Sequence, residues 1–284
     1  MKLLSPAKIN LYLHVLRKRA DGYHDIDTLF ERVSLFDEIE LRAAPSGIQV
    51  ECPAKGVPSG RKNLAYRTAA LLKERFGASQ GVVIKIKKNI PIAAGLGGGS
   101  SNAATVLLGL NRLWKLHLSR RKLLALAAEI GSDVPFFILE KTFAIGKGRG
   151  EILSAIRSSG PPLWHCLVKP PFGISTKEAY QRCPSSFLTP PRGDARMTIR
   201  SLQKGNSEHL AGRLVNSLER ALNKRVISKI AIIKNALKKE GALACLLSGS
   251  GSTVFGVFSS KQSALKAARH LKKNGWKTFA VSSY

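Results

Sequence analysis

The sequence predicts an α+β protein of two domains. Strand-like alternation and helical periodicity intersperse along the 284 residues without a regular βαβ rhythm. A glycine and serine run, Gly95–Ser101, stands directly ahead of a helical segment. Around Ile156–Pro162 the composition shifts to turn residues (Ser158-Ser159-Gly160-Pro161-Pro162), which places a boundary between residues 1–157 and 158–284. A chain of this length accommodates one large domain or two ordinary ones. Its 44% hydrophobic content, with 25 glycines and 13 prolines, is that of a globular protein.

The elements follow in order. Ile9, Leu11, Leu13 and Val15 alternate with Lys8, Asn10, Tyr12 and His14, the pattern of a strand. Ala20-Asp21-Gly22-Tyr23-His24 is a turn, and Leu29–Leu41 is a second strand region, expected to break near Phe36-Asp37. Leu64, Ala65, Ala69, Leu72 and Phe76 carry helical periodicity from Asn63, with Gly77 suited to the end. Val82, Ile84 and Ile86 form another strand. Ala103, Leu107, Leu110 and Trp114 predict a helix after the glycine run, and Ser119–Ile130 a second one ending at Gly131. Asp133-Val134-Pro135-Phe136-Phe137 then leads into apolar strand material.

The second half opens with a strand at Trp164–Val168, and the Pro-, Arg- and Ser-rich stretch of about 184–201 reads as loop. Helices are expected near 208–222 and 226–240, then a strand at Ala242–Leu247 and a glycine loop at Ser248–Ser252. A strand at Thr253–Phe258, a helix over 261–273 and a strand at Thr278–Val281 complete the chain.

Several function classes recede on composition. No apolar run approaches the roughly 18 residues of a membrane span, and Ser5-Pro6-Ala7-Lys8 interrupts any leader core, so a cytoplasmic protein is expected. Cys52, Cys166, Cys183 and Cys245 are scattered without a C-x-x-C pair, which argues against a disulfide framework or a cysteine zinc site. The outlying quantity is charge: 46 Lys and Arg against 18 Asp and Glu, a net of +28. Most of these cations alternate with apolar residues, as on solvated faces. No aromatic-interleaved platform accompanies them, which argues against nucleic acid as a partner. If the excess instead concentrates anionic nucleotides, kcat/KM falls steeply with added salt, and a flat response removes that role.

Gly95–Ser101 is the segment that carries chemistry. Glycines allow backbone conformations closed to other residues and leave the N–H groups accessible. A helix beginning there adds its unpaired donors and a positive partial charge, so the run suits a phosphate. Ser100 and Ser101 can cap the helix or meet phosphate and metal. A flexible turn with a serine cap is the plain alternative. No Lys-Ser/Thr follows the last glycine, so this is not a P-loop, and Gly95-x-Gly97-x-x-Ser100 lacks the third glycine of the dinucleotide fingerprint.

With Pro91–Ala104 in view, the sequence resembles the GHMP kinases in their ATP-binding motif. Pro6-Ala7-Lys8-Ile9-Asn10-Leu11 followed by Arg19–His24 is similar to the N-terminal signature of one branch, whose acceptor is a cytidyl-diphosphate-linked methylerythritol. Gly131–Phe137 resembles the branch's catalytic-aspartate segment, and Leu247–Phe255 the family's third motif. The resemblance runs from residue 5 to about 258 and is weakest over roughly 175–210. It implies an N-terminal lobe like the second domain of ribosomal protein S5 and a ferredoxin-like C-terminal lobe. It also implies transfer of phosphate from Mg²⁺-bound ATP to the 2-hydroxyl of that small molecule, in non-mevalonate isoprenoid synthesis; monomer and homodimer both stay open.

The resemblance further assigns roles. Asp133, by position only a turn or cap residue, becomes the catalytic carboxylate. Lys8, by position a solvent lysine, becomes the cation beside it. Pro91, Gly95, Leu96, Gly97, Gly98, Gly99, Ser100 and Ser101 form the ATP loop, with Asn63 and Lys88 as further nucleotide contacts. Asn10, Tyr23, His24, Tyr180, Gly249 and Ser250 fall on the acceptor side, Tyr23 and Tyr180 as candidate stacking rings. No protein metal ligand is assigned. Another GHMP-type kinase, or a basic nucleic-acid-binding protein with an S5-like domain, is the competing interpretation. The Ala20–His24 element argues against the first, and Lys8, the glycine run and Asp133 together argue against the second.

Overall fold

The computed structural model describes residues 1–183, 195–205 and 207–284. The chain forms two compact units, each assembled from three stretches. Met1–Ala7, Leu35–Ile92 and Gly97–Glu140 make the first; Lys8–Ser34, Ala93–Leu96 and Lys141–Tyr284 make the second. The long strands β1 (Lys2–Lys18) and β2 (His24–Ala44) contribute to both.

In the first unit β3 (Ile48–Glu51) pairs parallel with β4 (Gly81–Lys87), and β4 pairs antiparallel with the second half of β2, Glu38 opposite Lys87 through Ala44 opposite Gly81. The helices of this unit are α1 (Leu64–Phe76), which meets β3, then α2 (Gly98–Leu113), α3 (Arg120–Ile130) and the short α4 (Val134–Ile138), which pack on one another. Their limits are set locally. Asn63 Oδ1 accepts from Ala65 N to open α1, and Gly77 closes it at φ 61°. Ser119 Oγ accepts from Lys122 N to open α3. Leu41, Leu72, Ile84, Leu107, Leu110 and Phe136 are buried in this unit, each worth about 1.5–3 kcal/mol of transfer free energy.

In the second unit the first half of β2 pairs with β5 (Phe143–Lys147), which forms a hairpin with β6 (Ile152–Ile156). The two-residue β8 (Val215–Asn216) joins β1 in parallel. A separate four-stranded sheet has the order β11-β7-β10-β9, with β7 (Trp164–Lys169), β9 (Ala244–Leu247), β10 (Val254–Phe258) and β11 (Lys277–Ser282) all antiparallel. Among the described residues the remaining α-helices are α5 (Thr176–Gln181), α6 (Ala195–Gln203), α7 (Ser207–Ala211), α8 (Lys224–Lys239) and α9 (Lys261–Leu271). Ile230, Ile233 and Leu237 of α8 and Ala264, Ala267 and Leu271 of α9 close one core with Cys166, Val168, Leu247, Val254 and Phe258. Burial pushes the Cys166 thiol up to about 12, so it behaves as a small apolar side chain. Lys224, Lys229, Lys238, Lys239, Lys266 and Arg269 stay exposed on the opposite faces, which is the solvated-face pattern of the cationic runs.

Four local expectations are corrected. The second strand does not break at Phe36-Asp37 but runs unbroken over His24–Ala44, because the Asp37 carboxylate finds its partners inside the protein. The segment after Asp133 is helix rather than strand: Pro135 lies in the first turn of α4, where its fixed φ suits a helix start and its missing N–H costs nothing. Ala195–Gln203 is helical where loop was expected, with the rest of that stretch, 184–194, outside the described residues. The helix expected over 208–222 is instead α7, then β8, then a 3₁₀ turn at Ser217–Ala221, since Asn216 caps the turn through Leu218 N. The short strand β3 and the β5–β6 hairpin have no counterpart in the sequence-based assignment. No described helix is long and apolar enough to cross a membrane.

Candidate active site

Both faces of β1 are buried from Ser5 to Val15, so its polar face is an internal polar row and not a solvated one. Lys8 is 4% exposed. Its ammonium donates to Asn10 Oδ1 at 2.7 Å and lies 5.4 Å from the Phe30 ring centre. Asn10 Nδ2 donates to Thr28 Oγ1 at 2.8 Å, and Thr28 Oγ1 donates to Tyr12 O at 2.7 Å. This chain fixes the Asn10 amide with its oxygen toward Lys8. Thr28 has no motif of its own in the sequence; only strand pairing brings it there.

The glycine run is a bent loop that enters α2. Ala93, Gly95 and Gly97 have φ of 49°, 74° and 66°, left-handed conformations that the two glycines adopt at little cost and that are uncommon for an alanine. Gly97 stands at the N-cap of α2, so the first turn (Gly98, Gly99, Ser100) carries N–H groups that lack intrahelical acceptors. Lys8 N donates to Leu96 O at 3.0 Å. Ser100 is partly exposed, whereas Ser101 is fully buried and accepts from Ser5 Oγ at 2.8 Å. Pro91 precedes the bend and is half-buried. Asn63 acts as the α1 cap, its Nδ2 also donating to Pro58 O at 2.9 Å. Lys88 is not a surface lysine: its ammonium is paired with the buried Asp37 carboxylate.

The second glycine loop is anchored to the first. Ser248 Oγ donates to Gly95 O at 2.9 Å, and Thr253 N donates to Ala94 O at 3.2 Å. A Cβ on Gly249 would stand 3.4 Å from both Lys8 Nζ and Asn10 Oδ1, so the Ser248–Ser252 loop adjoins the internal polar row. Asn216 Nδ2 donates to Leu247 O at 2.8 Å and Gly249 O at 2.7 Å, and Ser250 Oγ meets Thr176 Oγ1 at 2.8 Å. Asn216 and Thr176 were not marked by the sequence, because both act through partners distant along the chain.

His24 and Tyr180 form a tilted ring pair with centroids 5.4 Å apart. Tyr23 is 52% exposed and carries the Arg149 guanidinium 4.9 Å from its ring centre, a contact supplied by the β5–β6 turn. The ring beside Tyr180 is therefore that of His24. Asp133 sits at the N-terminus of α4 with φ −84° and does not cap it.

Burial is the chief cause holding His14 and His24 below the ordinary imidazole range, with Arg220 lowering His14 further against an opposing pull from Asp27, and Lys18 lowering His24. Both ring nitrogens of His14 are buried without a hydrogen-bond partner. The unfolded chain then binds more protons than the folded one below pH of about 6.5. Their contribution is complete above that value and is lost as pH falls toward the depressed folded-state pKa. Thermal denaturation between pH 8 and 5.5 should show Tm falling below about pH 6.5. His14→Gln should flatten that fall, and an unchanged slope would exclude His14 as its source.

Residues 63–141 match the GHMP kinases N terminal domain, and residues 198–277 match the GHMP kinases C terminal domain. A 4-diphosphocytidyl-2-C-methyl-D-erythritol kinase of Pelotomaculum thermopropionicum is 42% identical over 95% of this chain and 93% of its own. One of Syntrophotalea carbinolica is 44% identical over 98% and 97%. The crystal structure of a 4-(cytidine 5'-diphospho)-2C-methyl-D-erythritol kinase superposes with a TM-score of 0.85 at 35% identity, covering 99% of this chain and 98% of that one. A homoserine kinase from Cytophaga hutchinsonii, at 19% identity and TM-score 0.73, shares the fold. The chain belongs to the GHMP kinases and, within them, to the 4-diphosphocytidyl-2-C-methyl-D-erythritol kinase family.

Proposed function

We propose that the protein transfers the γ-phosphoryl group of ATP to the 2-hydroxyl of 4-diphosphocytidyl-2-C-methyl-D-erythritol, a step of non-mevalonate isoprenoid precursor synthesis. The observation that carries this is likeness along nearly the whole chain to relatives of that name, at 42–44% identity. Residues 1–157 supply the ATP-binding part and residues 158–284 contribute to the acceptor side.

Phosphoryl transfer asks chiefly for placement and charge neutralisation. Asp133 takes or orients the proton of the attacking hydroxyl. Lys8, held by Asn10, stabilises charge on that oxygen and on the phosphoryl group. The first-turn N–H groups of α2 receive the ATP phosphates, with Ser100 and Lys88 beside them, and Asn63 contacts the nucleotide. His24, Tyr180, Tyr23 and the Gly249-Ser250 backbone receive the cytidine diphosphate end.

Mg²⁺ would arrive with ATP and keep most of its waters, with Ser100 as the protein oxygen it would meet. The setting proposed is the cytoplasm.

The test is incubation of purified protein with ATP, Mg²⁺ and 4-diphosphocytidyl-2-C-methyl-D-erythritol, following ADP and product mass. Stoichiometric formation of ADP and a product heavier by one phosphoryl group supports the reading. ATP binding without turnover of this acceptor, but turnover of mevalonate or homoserine, replaces the substrate and keeps the class.

A further inference from the structure

We propose that Asp37 is a positioning residue for the nucleotide: it holds the Lys88 ammonium against the first turn of α2. This rests on the glycine loop and α2 being the ATP-phosphate site. Asp37 lies mid-strand in β2 and is fully buried, where an unpaired carboxylate would be strongly destabilising. Its two oxygens divide their work. Oδ1 accepts from Asn89 N and Ile90 N, each at 2.8 Å, which fixes the chain where β4 ends and the approach to the glycine loop begins. Oδ2 accepts from the Lys88 ammonium and from Asn102 Nδ2, the latter at 2.9 Å.

Asn102 belongs to the first turns of α2 and ties the same cluster to the helix. Its Oδ1 accepts from Lys88 Nζ at 3.3 Å, and its Nδ2 also reaches Ser5 Oγ at 2.9 Å. Ser5 in turn donates to the buried Ser101. Lys88 ends so close to the loop that a Cβ on Gly98 would stand 3.0 Å from its Nζ.

A cation there opposes the positive end of the helix dipole, and by itself that placement is unfavourable. Asp37 and Asn102 supply the compensation. The result is a fixed ammonium beside a row of backbone donors, an arrangement whose two positive features both favour one anion. A carboxylate serving only to brace the strand needs the two backbone donors and has no use for Lys88 beneath Gly98.

Asp37→Asn keeps the shape and one acceptor oxygen but removes the charge that restrains Lys88. Titration of the full-length protein with ATP, alongside steady-state kinetics, should show the ATP Kd and KM rising about tenfold or more. The KM for the acceptor should stay within about twofold. Combined with Lys88→Met, the loss should be no greater than for Lys88→Met alone, since both act through one ammonium.

A lower Tm with unchanged ATP Kd and KM would reduce Asp37 to a fold brace, and fully additive losses would overturn the link to Lys88. If Asp37→Asn does not fold, Asn102→Ala carries the same comparison: a selective rise in ATP KM supports the assignment, and an equal rise in both KM values overturns it. Failure of the wild type to bind ATP would instead remove the cradle on which the assignment rests.

Discussion

Asp133→Asn is expected to lower kcat by about a hundredfold or more while leaving ATP binding within about threefold of the wild type. The substitution preserves the size and planarity of the side chain but removes its charge, turns one acceptor oxygen into a donor, and so ends its capacity to take a proton as the hydroxyl attacks. On the roles proposed above, the loss is confined to Asp133 because the other proposed contributors are held by their own partners. Lys8 is fixed by Asn10, which is fixed by Thr28. The glycine loop is fixed through Gly95 O and Leu96 O. Single-turnover measurement separates the chemical step from product release. A variant with undiminished single-turnover rate would keep the kinase and assign the proton to water.

Gly95→Ala is expected to be the most damaging exchange of a single hydrogen for a methyl group in the site. Its Cβ would stand 2.0 Å from Ser248 O and 3.0 Å from Gly251 N, both backbone atoms, at a φ of 74°. Neither loop can yield alone, because Ser248 Oγ and Thr253 N hold them together. A cost of about 3 kcal/mol or more follows, a fall in Tm of about 6 °C or more, with kcat/KM falling further as the loop moves. Gly77→Ala is the matched control. Its φ is 61° but nothing lies within 4 Å of the added carbon, so only the conformational term of about 1 kcal/mol should remain. Equal losses in the two variants would show that the φ value matters and the contact with Ser248 does not.

Much of the local structure around the candidate site was legible because its parts are local. The left-handed loop and the helix after it are announced by consecutive glycines followed by helical periodicity. The limits of α1 are written in Asn63 and Gly77, and those of α3 in Ser119 and Gly131. The alternation of β1 placed Lys8 and Asn10 on one face before any fold was known. These signals depend on contacts over four residues or fewer, which a linear reading can see.

What escaped such a reading depends on contacts between distant stretches. Asp37 looked like a strand breaker because an isolated aspartate in an apolar run has no visible partner, and its partners are Lys88, Asn89, Ile90 and Asn102. Lys8 looked solvent-exposed because alternation separates two faces without saying that both are covered. His24 meets Tyr180, and Arg149 meets Tyr23, only through pairing of strands and packing of a helix far along the chain. The sequence by itself determined that a glycine loop precedes α2 and that a lysine and an asparagine share one face of the first strand. Only the tertiary structure decided that these groups are buried, which charges neutralise them, and which rings adjoin, because desolvation and charge pairing are properties of the assembled interior and not of neighbours in sequence.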